Sequence, residues 1–250
     1  MLILELMIRG WSKKYEEILE DFGYKKQNDL RSAYLLDSLI CKQYSFLKLE
    51  RMISGKTVFV IGSGPTLGKA IPFLKKYKNI VKICADTALD VLIKNGIKPQ
   101  IIITDLDGNL RLIQKLSSSS VIIVHAHGDN ISRLEFVKNF KNCLGTTQTR
   151  KIGKIENFGG FTDGDRAVFF ASRFNAKKIF LFGMDFGSKI GIYSRTKKTE
   201  RKIKRRKLVH AKKLLEWLSS NTKSDLFTLS MPIRGFRKIT YKQLEVNVKS

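Results

Sequence analysis

Hydrophobic and polar positions follow two different patterns along the chain. Over residues 1–53 the apolar residues recur at helical spacing. Ile18, Leu19 and Phe22 share one face, and Gly23 stands where a helix C-cap belongs. Asp29 is placed to cap a second helix that turns Ala33, Leu36 and Ile40 inward. From Lys56 onward the pattern changes to short, continuous apolar runs separated by amphipathic stretches. "KTVFVIG", "VKICAD", "QIIITD", "SVIIVHAHGDN" and "KIFLFGMDFG" read as buried strands, and "DLFTLS" as a last one. Helices are expected between them, running to about Tyr77 and to about Asn95, with a capped one in "FTDGDRAVFFASRF". Strands alternating with helices predict an α/β domain with a doubly wound, mostly parallel Rossmann-like sheet. The expected organisation is a helical N-terminal region, 1–53, and an α/β catalytic domain, 54–250. The N-terminal region reads as a structural or dimerising appendage, which leaves a homo-oligomer open. A basic helix is expected within 195–221, its apolar stripe running through Ile203, Leu208, Ala211, Leu214, Leu215 and Leu218.

Composition changes this picture little until charge is considered. At 250 residues and 43% hydrophobic content the chain can bury a sizeable core, which excludes global disorder. Three scattered cysteines without CxxC spacing predict a reduced protein with no zinc knuckle. The apolar opening "MLILELMIRGW" is interrupted by Glu5 and lacks a small-residue cleavage site, so no signal peptide is expected. No apolar run reaches spanning length. The expectation is a soluble, cytoplasmic protein with no membrane partner. The net charge of +25 is uneven, with 17 basic and 4 acidic residues after position 194.

Against that charge, carboxylates collect where strands end. The first predicted strand leads into Gly62-Ser63-Gly64-Pro65, the second into Asp86, and the third into Asp105-Leu106-Asp107-Gly108. The fourth leads into His125-Ala126-His127-Gly128-Asp129-Asn130, and "GMDFG" adds Asp185. Ligands of open α/β sheets bind outside the carboxyl ends of the strands. In an extended loop Asp105 and Asp107 would point the same way, and like charges that close need a cation between them. Hard oxygen donors suit Mg²⁺, with Asp86 on the neighbouring strand end as a third ligand. The glycine-rich turn could hold phosphate through its backbone N–H groups, or be only a tight connection. It is not a Walker A loop, because Gly68-Lys69-Ala70 lacks the hydroxyl. Asp86 and Asp185 could each merely cap a helix. "HAHGD" resembles a zinc-hydrolase pattern, but only His210 remains as a further histidine. His127, Asp129 and Asn130 read better as groups facing a substrate. Thr162 fits an N-cap, with Asp163 and Asp165 at the positive end of that helix.

These residues carry a resemblance. "ADTALDVLIKNGIKPQIIITDLDG" is similar to the signature of thiamin pyrophosphokinase-like proteins. With "VIGSGPTL", "HAHGDN", "TTQ", "NFGGFTDGDRAVFFA" and "LFGMDFG", it resembles the archaeal 6-hydroxymethyl-7,8-dihydropterin pyrophosphokinases over roughly 57–187. The resemblance implies a thiamin pyrophosphokinase-like core. It also implies Mg²⁺-dependent transfer of diphosphate from ATP to a reduced pterin, giving AMP and a pterin diphosphate on the way to folate or methanopterin. Thr87 departs from the pattern, which has glycine there. The wider family includes bacterial relatives linked to flagellin glycosylation, so its motifs do not fix the substrate.

The implied chemistry assigns expected roles. Asp105 and Asp107 hold Mg²⁺ with Asp86, and Asp129 or Asp163 takes the acceptor's proton. Gly62, Ser63, Gly64, Pro65, Asp86 and Arg166 meet the nucleotide. His127, Asn130, Gln148, Thr162 and Asp163 meet the acceptor, whose amide-like edge suits such side chains. The alternatives are a thiamin pyrophosphokinase, a nucleotide-sugar transferase or a nucleic-acid-binding protein. "RTKKTERKIKRRKLVHAKK" favours the last, with 11 basic residues and one acidic. Against it, no nucleic-acid motif is present and the strand-end carboxylates would repel phosphates.

Overall fold

A computed structural model describes residues 8–187, 190 and 191, 193 and 194, and 196–249. Most of the apolar opening run, where no leader is expected, and Arg195 of the basic segment lie outside the described residues. Three helices come first: α1 (Trp11–Phe22), α2 (Lys26–Leu39) and α3 (Phe46–Ile53). Gly23 closes α1 in the left-handed conformation (φ 68°), as its position predicts. Asp29 caps nothing; α2 begins at Lys26, and the Asp29 carboxylate is drawn away to other partners.

The α/β part alternates β1 (Thr57–Ile61), α4 (Leu67–Lys76), β2 (Val81–Ala85), α5 (Asp86–Lys94), β3 (Ile101–Thr104), α6 (Leu110–Leu116) and β4 (Val121–Ala126). A 3₁₀ segment, Gly128–Asn139, leads to β5 (Cys143–Thr147), followed by α7 (Asp163–Arg173) and β6 (Lys178–Phe182). The basic helix α8 (Arg201–Ser219), β7 (Asp225–Thr228), β8 (Arg237–Lys238) and α9 (Tyr241–Lys249) complete it. All eight strands are parallel, in the order β5-β4-β3-β2-β1-β6-β7-β8. The chain winds outward from β1 to one edge, returns to β6 and winds to the other. The order therefore reverses between β1 and β6, where doubly wound sheets open a crevice.

Alternate strand residues feed two cores. Phe59, Ile61, Cys84 and Ile102 pack with α2, α4 and α5. Val58, Val60, Ile83 and Ile101 pack on the other face with α1, α3, α7 and α8. Each such side chain contributes about 1.5–3 kcal/mol on burial. The N-terminal helices take part in both: Trp11 is 1% exposed and donates its indole N–H to the Gln148 carbonyl at 2.9 Å.

Helix α8 divides in two. Ala211, Leu214, Leu215 and Leu218 are buried, whereas Ile203 is 50% exposed and overhangs a cavity. The apolar stripe therefore anchors only the second half. Among the described residues no helix is long and apolar enough to cross a membrane.

Candidate active site

Asp86 is the first residue of α5, directly after β2, and Asp163 the first of α7. Asp105 and Asp107 follow β3. Ligand-capable oxygens of these four carboxylates all lie within 4.8 Å of one another. Sequence reasoning gathers the first three but puts Asp163 on the acceptor. The signal for it is its place at a helix N-terminus, where the dipole favours negative charge. A capping box fixes that terminus: the Asp165 carboxylate accepts from the N–H groups of Phe161 and Thr162 at 2.7 Å each.

The two aspartates after β3 converge by a different route from an extended loop. Leu106 between them is left-handed, φ 67°, uncommon for a branched residue. Its N–H donates to the Thr104 hydroxyl at 2.8 Å, and that hydroxyl donates to Asp86 Oδ2 at 2.6 Å. One threonine thus ties the β3 turn to the β2 end. Gly108 completes the turn because a Cβ there would stand 2.8 Å from Asp86 Oδ2.

The electrostatics are those of like charges crowded together and partly withdrawn from water. Burial, then the neighbouring carboxylates, push Asp86 and Asp163 well above the ordinary carboxylate range. Burial and Asp105 push Asp107 up to about 6, against the pull of Lys204 and Arg133, even though its side chain reaches solvent at the cavity wall. Asp105 goes the other way. Burial opposes its charge, but His127 and then Arg166 outweigh burial and hold it below the usual range. Among the described residues, buried oxygens Asp86 Oδ1 and Asp105 Oδ1 have no hydrogen-bond partner. Two orphaned carboxylate oxygens inside a four-carboxylate cluster fit a divalent cation with hard oxygen ligands.

A cavity of about 700 Å³ opens beside the cluster. Its floor is Gly62–Pro65, Thr87 and Gly183–Phe186, at the β1/β6 reversal. Ile203, Lys204, Lys207 and Leu208 of α8 line it from above. Two N–H groups of the glycine-rich turn, expected to be open to phosphate, are engaged within the fold. Gly62 N–H donates to Phe182 O at 2.9 Å and Gly64 N–H to Gly183 O at 2.8 Å. The N-terminus of α4 meets Asp185 Oδ2, which accepts from Thr66 N–H at 2.9 Å and its hydroxyl at 2.8 Å. Those donors are engaged and the helix end faces a carboxylate. The glycines serve close approach instead: a Cβ on Gly62 would lie 2.7 Å from Gly183 O. Asp185 is thus a cap. Thr87, the departure from the resembled pattern, donates to the Ser63 hydroxyl at 2.9 Å and ties the two loops.

A smaller cavity lies on the other side of Asp105, lined by Asn28, His127, Asp129, Gln148, Arg166 and Lys207 among others. His127 Nε2 is 3.5 Å from Asp105 Oδ2. Asp129 is exposed at the rim, its carboxylate 3.9 Å from His127 Nδ1 and apart from the four-carboxylate cluster. Gln148 is 7% exposed, its amide nitrogen 3.2 Å from His125 Nε2. Thr162 lines the larger cavity. Two expected contacts are redirected. Asn130 is 1% exposed, and its amide holds the carbonyls of Asp105 and His125 at 2.8 and 2.7 Å and accepts from His127 N–H. It braces the turns and does not face the acceptor. Arg166, 3% exposed, pairs with Asp163 at 2.7 Å, a counter-charge beneath the cluster and not a clamp on the nucleotide in the larger cavity. His125 is buried beside Thr146 and Gln148, and no histidine joins the carboxylate cluster among the described residues.

Comparison with known proteins bears on this geometry. A family model described as 6-hydroxymethylpterin diphosphokinase MptE-like matches residues 37–191. The curated 6-hydroxymethyl-7,8-dihydropterin pyrophosphokinase of Pyrococcus furiosus is 40% identical over 231 residues, covering 88% of this chain and 98% of that protein. The protein of the same name from Methanocaldococcus jannaschii is 40% identical over 230 residues, covering 84% and 95%. That from Methanothermobacter thermautotrophicus is 36% identical over 226 residues, covering 86% and 96%. Among solved structures, the MAf glycosyltransferase of Magnetospirillum magneticum AMB-1 superposes with a TM-score of 0.57 at 17% identity, covering 86% of this chain and 38% of that longer one. That likeness is one of fold.

Proposed function

This chain belongs to the MptE-like family of 6-hydroxymethylpterin diphosphokinases, and we propose that it moves diphosphate from ATP to the hydroxymethyl oxygen of 6-hydroxymethyl-7,8-dihydropterin, with Mg²⁺, releasing AMP. The observation that carries the reading is the cluster of Asp86, Asp105, Asp107 and Asp163 between two cavities that share Asp105. Diphosphoryl transfer needs positioning and charge neutralisation more than covalent chemistry. Mg²⁺ on these carboxylates would bind phosphate oxygens and offset the charge that grows on departing AMP.

The protein's own groups supply the rest. The nucleotide takes the larger cavity, its phosphates toward Lys204, Lys207 and Arg133. The acceptor's hydroxymethyl group takes the Asp105–His127 side, a recess of about 50 Å³ lined by Gln148, while its ring edge meets Thr162 at the wall of the larger cavity. Its hydroxyl oxygen bonds to the β-phosphorus as the bond from that phosphorus to the α–β bridging oxygen breaks. Asp129, exposed beside His127, takes the hydroxyl proton on its carboxylate. The product would serve folate or methanopterin synthesis.

The test is a product screen. The purified chain receives ATP and Mg²⁺ with either 6-hydroxymethyl-7,8-dihydropterin or thiamin, and nucleotides and products are separated by chromatography. AMP with a pterin diphosphate is the expected result. Thiamin diphosphate would move the acceptor to the alternative, and ADP would reject diphosphate transfer.

A further inference from the structure

Helices α1 and α2 contribute no ligand to the cluster, yet they converge on the turn that carries His127. Asp29 of α2 is 8% exposed, and both its oxygens are engaged. Oδ1 accepts from Gly128 N–H at 2.8 Å, and Oδ2 from the Tyr15 hydroxyl of α1 at 2.5 Å. One turn along α2, the Ser32 hydroxyl donates to the His127 carbonyl at 2.7 Å. From the other side, Asn130 accepts from His127 N–H at 3.1 Å. The N–H of His127, its carbonyl and the next N–H are therefore all held, two of the three by α2. Only the side-chain torsions remain. Nδ1 accepts from Asp129 N–H at 3.3 Å, so in the neutral ring the hydrogen sits on Nε2. That atom faces Asp105 Oδ2 at 3.5 Å.

We propose that Asp29 is a positioning residue for the metal centre: through Gly128 it sets the turn from which His127 orients Asp105, which makes α1 and α2 part of the catalytic unit. The inference rests on the metal-centre reading above. A carboxylate ligand whose orientation is not fixed must be ordered when a cation binds, so the cost of losing the brace falls on metal affinity.

Mn²⁺ titration of the nucleotide-free protein, read by electron paramagnetic resonance, measures that affinity, and steady-state assays give kcat alongside. Asp29→Ala is expected to weaken Mn²⁺ binding about tenfold and lower kcat comparably, the scale typical of outer-shell losses. The KM for ATP at saturating metal should hold. Ser32→Ala should shift both in the same direction by less. In a His127→Ala background the Asp29→Ala change should add little, because its effect is routed through that ring. A purely structural role would instead give equal losses in both backgrounds, and that result would overturn the proposal, as would wild-type Mn²⁺ affinity in Asp29→Ala. If Asp29→Ala does not fold, Ser32→Ala in the two backgrounds decides by the same criterion. The Mn²⁺ readout needs no substrate, so wild-type protein that binds Mn²⁺ but forms no AMP would sink the proposed function and leave this test standing.

Discussion

Two strand ends with nearly the same sequence grammar do different work. "IIITDLDG" and "FLFGMDFG" both run from an apolar strand into aspartate and glycine. At the second, Asp185 Oδ2 accepts two hydrogen bonds from Thr66 and closes the turn into α4. At the first, Asp105 keeps a buried oxygen without a partner, beside three more carboxylates. The motif does not separate the two; the use of each oxygen does. A carboxylate oxygen that caps a turn serves the fold, whereas a buried one without a hydrogen-bond partner is available to a ligand.

The largest expected consequence falls on the unsatisfied end. Asp105→Asn and Asp107→Asn should each lower kcat by more than about 100-fold, beyond the usual cost of outer-shell changes, while circular dichroism shows an intact fold. Near-normal Mg²⁺-dependent turnover in both would remove the distinction between the two ends.

The cluster should also show itself through pH. A carboxylate raised by folding binds its proton more tightly in the native state, so it lowers stability as pH rises from its unfolded value to its folded one. For Asp107 that window runs from about 4 to about 6, and Asp86 and Asp163 extend it upward. Asp105 acts in the opposite sense, below the window. Metal-free protein should therefore lose Tm as pH rises through that window, and Mg²⁺ should restore most of it. A Tm that climbs through the same range without metal would contradict the crowding of charge.

Asp185→Ala sharpens the contrast from the other side. It should cost about 1 kcal/mol in urea melts, the usual price of a lost cap, with kcat changed only a few-fold. The smallest effect concerns capture of the nucleotide. Lys204 lines the cavity, whereas Arg206 turns to Asp21 O and stacks 5.0 Å over the Phe22 ring, docking α8 on α1. Lys204→Gln should raise the KM for ATP about threefold at low salt, less at high salt, with kcat nearly unchanged. An effect independent of ionic strength would contradict this electrostatic role.

Much of the sheet was legible because parallel strands buried on both faces leave unbroken apolar runs, as β1, β3, β4 and β6 do. Strand β5, Cys-Leu-Gly-Thr-Thr, carries too weak a signal, and β8 is Arg-Lys, with no apolar signal at all. Asp86, Asp105 and Asp107 could be gathered from strand ends alone. Asp163 could not, since the chain leaves β5 and returns over 15 residues before α7 begins. Nor could the fate of the Gly62 and Gly64 donors, because which carbonyl a loop N–H meets depends on how closely β1 and β6 approach. The role of Asp29 was hidden for the same reason: its partners, Tyr15 and Gly128, sit on separate segments.

The divided helix α8 has a kinetic consequence. Its second half is anchored in the core by Ala211, Leu214, Leu215 and Leu218, while its first half spans the cavity with Ile203 half exposed. Amide protection should therefore be graded along a single helix. Hydrogens near Leu215 should exchange only with global unfolding, and those near Ile203 much sooner, by local fraying. A cantilever of this kind lets a bulky triphosphate enter and AMP leave by melting the first turn, ahead of the Arg206 contact with α1, with no domain motion and no disturbance of the sheet. Nucleotide binding should slow exchange at the free end alone, so turnover and fraying there would share one clock.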